Sequence, residues 1–208
     1  MTRTRKLSML VGTLAVALVV VLMAATARCA AKLKIGDPAP TWSALTGVDD
    51  KQHALADYEK AKLVVVVFTC NSCPVAIAYQ DRLIALQKDY ESKGVQVVAV
   101  NSNSPKVQPP DSFDNMKERA KDKGFNFPYL FDETQNVARD YGATCTPHAF
   151  VLDRDRKIVY MGAVDDEMKA DKVKEPYLRS ALDALLEGKK PPKEVTRQFG
   201  CGIKWDKK

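Results

Sequence analysis

The chain has two histidines and no second Cys-x-x-Cys pair. A structural zinc site is normally completed by another cysteine pair or by a histidine pair at short spacing. Neither is present, so the sequence gives no zinc-finger type of metal site. It also lacks a basic stripe with interleaved aromatics. The formal charge is +6, but Arg3, Arg5 and Lys6 supply three of those charges, and the rest of the chain mixes lysine with acids at +3. That pattern excludes a nucleic-acid-binding face. No internal repeat and no low-complexity tract is visible, which excludes solenoid arrays and long disordered spacers.

What is present begins with a targeting segment. Arg3, Arg5 and Lys6 form a positive start, and Leu7 to Ala27 is an apolar or small stretch of about 21 residues, long enough to cross a bilayer. Ala25-Thr26-Ala27 fits a small-x-small cleavage site, and Cys29-Ala30-Ala31 offers a second. Arg28 is wrong for lipoprotein cleavage before Cys29. Residues 1–31 are therefore expected to be a cleaved signal peptide or an uncleaved membrane anchor. The remainder would be exported, periplasmic or held on the outer face of an inner membrane, where disulfides persist.

The body of the chain, residues 32–190, reads as one α/β unit followed by a tail, residues 191–208. Leu63 to Thr69 is a continuous apolar run rich in β-branched residues, as in a strand covered on both faces. Pro74 opens a helix to about Ser92, with Ile77, Leu83, Ile84, Leu86 and Tyr90 as its apolar stripe and Gly94 as its stop. Val95 to Val100 is the next strand. Asp111 or Ser112 caps a helix carrying Phe113, Met116 and Ala120, and Gly124 ends it. A strand over 127–131, a helix over 133–141, a hairpin over 149–152 and 157–161, and a helix over 177–186 complete a mixed sheet flanked by helices. Residues 41–55 read as a hairpin or loop. The acidic run Asp165-Asp166-Glu167 is expected to be a solvated loop. Phe199, Ile203 and Trp205 are expected to anchor the tail.

The chemistry centres on Cys70-Asn71-Ser72-Cys73-Pro74, set where the apolar strand meets the helix. Two thiols three positions apart can close a small disulfide and trade it with another protein. The free N–H groups and dipole of a helix start favour an anion. That predicts a Cys70 thiol lowered from about 8.5 toward 7 or below, exposed and nucleophilic. Cys73, deeper under the helix, would resolve the mixed disulfide. Farther on, Cys145-Thr146-Pro147-His148 enters a strand through a Thr-Pro bond, either as an edge start or as a cis proline.

A strand ending in Cys-x-x-Cys-Pro, with a later Thr-Pro-x-x-Phe-Val-Leu-Asp, resembles the thioredoxin superfamily. The resemblance covers about Lys34 to Gly188 and implies a thioredoxin-like fold, a central mixed sheet flanked by helices. It implies a cis Pro147 against the cysteine pair and a Thr146 backbone that meets the substrate chain, with Asn71 and Ser72 on the groove. Pro147 follows Cys73 by 74 positions, and the excess over a minimal thioredoxin, roughly Asn101 to Phe131, is similar to the redoxin-type insertion. Phe127–Leu130 (Phe-Pro-Tyr-Leu) and Gly200–Trp205 (Gly-Cys-Gly-Ile-Lys-Trp) resemble redoxin-domain proteins of the AhpC/TSA type.

The implied function is thiol–disulfide exchange with protein thiols and disulfides, fed by an upstream redox protein and needing no organic cofactor or metal. The sequence departs from thioredoxin in having no carboxylate within Leu63–Thr69 and no Gly-Pro between the cysteines. A peroxiredoxin-like antioxidant peroxidase is the alternative. Its Pro-x-x-x-Thr-x-x-Cys loop is missing, however, and Pro147 stands where its arginine should be. A copper chaperone on the same fold would use His148 with the two thiols. Cys145 and Cys201 are expected to form a second disulfide that ties down the tail, or else Cys201 serves as an extra exchanging thiol.

Overall fold

The computed structural model describes residues 33–207. The targeting segment lies outside the described residues. Among those described, no helix is long and apolar enough to cross a membrane.

Among the described residues, nine strands and four α-helices appear in chain order. They are β1 (Leu45–Gly47), β2 (Gln52–His53), β3 (Leu63–Phe68), α1 (Pro74–Tyr90), β4 (Val95–Asn101), α2 (Phe113–Lys123), β5 (Tyr129–Phe131), α3 (Asn136–Tyr141), β6 (Cys145–Thr146), β7 (His148–Leu152), β8 (Ile158–Gly162), α4 (Tyr177–Leu186) and β9 (Cys201–Gly202). Seven strands make one mixed sheet in the order β2-β1-β5-β4-β3-β7-β8. β3, β4 and β5 are parallel, whereas β7, β8 and the β1–β2 hairpin add antiparallel edges. β6 and β9 form a separate antiparallel ribbon.

β3 sits at the centre because its side chains satisfy both faces. Val65 and Val67 join the core under α1 and α4, and Val64, Val66 and Phe68 join the core on the other face. α1 closes the first face with Ala76, Tyr79, Leu83, Leu86 and Tyr90, three or four residues apart. Ile77, expected in that stripe, is instead 37% exposed, because this phase turns it outward. α1 ends in a 3-10 turn over Glu91–Lys93, and Gly94 takes the left-handed conformation at φ 88°.

α3 starts at Asn136, later than the expected residue 133. Gln135 just before it is left-handed at φ 61°, and its side chain is committed elsewhere: Nε2 donates to the Ser102 and Lys204 carbonyls, 2.7 and 2.9 Å away. The insertion between Asn101 and Phe131 contains a Pro109–Asp111 turn, α2 and β5. Ser112, not Asp111, caps α2 by accepting from the Asn115 N–H.

The expected solvated loop at 165–167 is half wrong. Asp165 is buried, and it accepts from Tyr79 Oη at 2.5 Å and Arg82 Nη1 at 2.7 Å. Arg82 reaches this site because it lies three residues after Tyr79 on α1, stacked 4.2 Å over the same ring.

Candidate active site

Cys70 and Cys73 flank the junction of β3 with α1. Cys73 is the N-cap residue and Pro74 the first helical residue, so the proline ring costs no hydrogen bond there. The Cys73 N–H points back at Cys70 Sγ, 3.4 Å away. Thr146 closes the site from β6. Its hydroxyl lies 3.2 Å from Cys70 Sγ, and its carbonyl oxygen lies 3.3 Å from Cys73 Sγ, which donates to it when protonated. The Thr146-Pro147 bond is cis. Thus β3, α1 and β6 bring Cys70, Cys73 and Thr146 to one point, with Pro147 beside them.

Two expectations about the cysteines need correcting. Cys70 is not the exposed member: Cys70 is 1% and Cys73 2% exposed. The tail causes this. Cys201 packs on the small cluster of Cys70, Cys73 and Ala76, and its N–H donates to Cys73 Sγ at 3.3 Å. Nor is Cys70 the sulfur whose thiol is lowered. The hydrogen bond between the sulfurs, burial and the charge of Asp111 together push Cys70 up. The Cys70 hydrogen bond, with those from Cys201, holds Cys73 down to about 4. The two sulfurs titrate as one unit, with the charge drawn toward Cys73, against which the Cys201 N–H lies.

Asp111 is the residue that sequence reasoning missed. It is fully buried. Oδ1 accepts from the Asn71 N–H at 2.5 Å and from Asn101 Nδ2 at 3.3 Å; Oδ2 accepts from the Ser72 hydroxyl at 2.5 Å and from Asn103 Nδ2 at 2.8 Å. Asn71 is held further, through Nδ2 to the Pro110 carbonyl and through Oδ1 from Tyr129 Oη. The loop between the cysteines is therefore clamped by the insertion. The buried acid beside the motif thus comes from the Pro109–Asp111 turn and not from β3, and its charge acts on Cys70. The only sequence signal was an acid following two prolines, which read equally well as a helix cap. Beside the motif runs a cleft of about 550 Å³ lined by Asn71, Pro109, Pro110, Asn115, Glu118 and Arg119.

His148 is buried, its ring 4.4 Å from Phe150, and its Nδ1 has no partner. Burial lowers it to about 4. Phe150 belongs to the core on the face opposite α1. His148 makes no hydrogen bond to a thiol, and no group of three or more potential ligands is arranged for a metal among the described residues.

The pleat runs against a Cys145–Cys201 bridge. Thr146 pairs with Cys201, and Cys145 with Gly202. Alternate residues point to opposite faces, so Cys201 shares the face of Thr146 and Cys145 takes the other. All four described cysteines are free thiols. The tail anchors act as expected: Phe199 packs 6.2 Å from Tyr79, Ile203 is buried, and Trp205 lies 4.4 Å from the Arg139 guanidinium.

A cysteine pair at a helix start beside a cis proline, on a mixed sheet with this insertion, defines a thioredoxin-like redox domain. The chain belongs to the Redoxin family, whose match spans residues 34–181. The thiol-disulfide oxidoreductase ResA of Geobacillus thermodenitrificans is 28% identical over 127 residues, which span 60% of this chain and 66% of that protein. A conserved protein of Geobacillus kaustophilus whose function is uncharacterised is 43% identical, with TM-score 0.78 over 83% of this chain and 93% of that one. A thioredoxin-family thiol:disulfide interchange protein of Chlorobium tepidum is 25% identical, with TM-score 0.52 over 63% and 87% of the two chains.

Proposed function

We propose that this protein is a thiol–disulfide oxidoreductase that exchanges a dithiol for a disulfide with partner proteins outside the cytoplasm. The observation that carries this reading is the single hydrogen-bonded unit made by the Cys70 and Cys73 sulfurs under Thr146. The basic and apolar N-terminal segment supports the location.

The chemistry follows from this coupling of the two sulfurs. As a partner disulfide arrives, the Cys70 thiol passes its proton to the Cys73 thiolate, and the Cys70 sulfur attacks. One partner sulfur leaves as a thiolate, and a Cys70–partner bond forms. Cys73 then gives its proton to the partner thiolate that left and attacks Cys70 Sγ, releasing the second partner sulfur as a thiolate and closing Cys70–Cys73. Two electrons have moved to the partner; run in reverse, the same steps oxidise a partner dithiol, and an upstream redox protein restores the starting form in either direction. The expected groove of Thr146, Pro147, Asn71 and Ser72 is already covered at Thr146, whose backbone pairs with Cys201 of the tail, and of the four Ser72 is the partly exposed one that meets an arriving partner. The cysteine pair carries the electrons, so no cofactor enters.

A redox titration in glutathione buffers, trapping free thiols and reading masses, tests this. Cys70 and Cys73 are expected to titrate together. A potential near about −120 mV marks a donor of disulfides, and one near about −270 mV marks a reductant. Cys70→Ser is expected to abolish the Cys70–Cys73 disulfide and attack on partner disulfides by Cys70, and Cys73→Ser to accumulate mixed disulfides. Equal residual activity in both, or thiols that titrate singly, overturns the assignment.

A further inference from the structure

Both motif sulfurs are buried, yet a disulfide must reach a partner. Cys201 is the cysteine of the cluster that remains partly exposed. Its backbone N–H already touches Cys73 Sγ, and its side chain lies on the motif face of the ribbon. The approach is built into the chain. Gly200 has φ 147°, and a Cβ there would sit 2.0 Å from the Thr146 carbonyl oxygen, so only glycine lets the tail come this close.

The position of the tail is held from several sides. The Ile203 N–H donates to the Thr144 carbonyl, and the Ser104 N–H donates to the Lys204 carbonyl. Asn103, which donates to Asp111, also accepts from the Lys204 N–H at 2.8 Å. One buried amide therefore ties the loop carrying Cys70 and Cys73 to the segment carrying Cys201.

We propose that Cys201 is a third redox thiol, which exchanges with the Cys70–Cys73 disulfide to give Cys73–Cys201 and carries the disulfide to the surface. This rests on the oxidoreductase reading above. In the step, deprotonated Cys201 attacks Cys73 Sγ. The Cys73–Cys201 bond forms as Cys70–Cys73 breaks, and the proton released by Cys201 ends on Cys70. No electrons are gained or lost, so no further oxidant is needed. In the dithiol, the neighbouring Cys73 keeps the proton on Cys201. In the disulfide that charge is gone, and Cys201 is freer to ionise. A partner thiolate then attacks the outer sulfur, Cys201, and returns Cys73 as the leaving thiolate.

The test uses the full chain in glutathione redox buffers, followed by alkylation, digestion and mass mapping of linked peptides. Wild type is expected to show Cys70–Cys73 together with Cys73–Cys201. Cys70→Ser, oxidised by glutathione disulfide, is expected to convert mainly to Cys73–Cys201. Adding Gly200→Val, which keeps the thiol but pushes the tail away, is expected to lower that link about tenfold by cutting the effective concentration. The relay is overturned if oxidised Cys70→Ser leaves Cys73 and Cys201 unlinked, joins Cys201 to Cys145, or forms Cys73–Cys201 equally well with Gly200→Val. Those outcomes leave the oxidoreductase reading intact. Failure of wild type to form any Cys70–Cys73 disulfide would remove that reading itself.

Discussion

Two buried aspartates sit against α1, one at its start and one beside its middle, and they are satisfied in different ways. Asp165, beside the middle of the helix, has a cation: Arg82 Nη1 at 2.7 Å, with Tyr79 Oη as a second donor. Asp111, at the helix start, is the more deeply buried, yet it has no ion pair among the described residues and accepts only from an N–H, a hydroxyl and two amides. A charge balanced by a guanidinium pins a helix to a loop and has little further effect. A charge held by neutral donors keeps its field, and the sulfur of Cys70 stands within that field. The first arrangement is architecture. The second couples architecture to thiol chemistry.

Removing Arg82 gives the largest expected effect on stability. Arg82→Ala strands a buried carboxylate and is expected to cost about 3–5 kcal/mol in denaturant unfolding. The Cys70–Cys73 potential should stay at its wild-type value. A shifted potential would mean that the middle of α1 is coupled to its start, and the contrast would collapse.

Asp111→Asn should do the reverse. It keeps a side-chain oxygen but loses the charge and mispairs at least one buried donor, for a cost of about 1–3 kcal/mol. Removing the negative charge also lessens repulsion of the thiolate charge that the sulfur pair carries in the dithiol form and not in the disulfide. That stabilises the reduced state and makes the pair more oxidising, by about 30 mV for each 1.4 kcal/mol gained. Titration of the variant against glutathione checks the sign. A more reducing pair would show that Asp111 acts by shaping the loop and not by its charge.

The difference between the two aspartates bears on what a sequence discloses. β3, α1 and the Cys-x-x-Cys junction are legible because each is written locally: a run of valines, a helical stripe, a proline after a cysteine. The cis Thr146-Pro147 site was also legible as a motif. Asp111 was not, because its role depends on donors from Asn71, Ser72, Asn101 and Asn103, which meet it only through the fold. The β6–β9 ribbon was invisible for a related reason. Two strands of two residues each, flanked by glycine and proline, have no periodicity to detect, and their pairing decides that Cys201, not Cys145, faces the motif. The expected lowering of Cys70 failed for the same cause: the helix start was read correctly, but the tail and the loop acid that move the charge to Cys73 lie far away in sequence.

That shift of charge gives the next prediction, smaller because it leaves the fold unchanged. With Cys73 held to about 4, the reduced protein should keep one thiolate's ultraviolet absorbance from neutral pH down to about pH 5 and lose it through about pH 4. Cys73→Ser should remove that signal, whereas Cys145→Ser should not, since burial raises Cys145 to about 11. A thiolate that disappears in Cys145→Ser instead would contradict the site as built.

His148 is a third way to bury polarity, and it tests the contrast most finely. It has neither the cation of Asp165 nor the donors of Asp111. Its Nδ1 is unpartnered, and burial alone lowers it to about 4 from an ordinary 6.5. Between those values the unfolded chain binds a proton that the folded chain refuses. Its contribution is therefore complete above pH 6.5 and lost as pH falls toward 4. Cys73, lowered as well, slopes the same way, so the histidine must be read by difference. His148→Phe keeps the ring against Phe150 and should flatten the loss of stability between pH 6.5 and 4 relative to wild type. It should leave stability at pH 8 within about 1 kcal/mol, because the imidazole is neutral there and a ring of similar volume replaces it. Equal slopes in the two proteins would mean that the folded state protonates His148 freely, and that its packing on Phe150 does not exclude the charge.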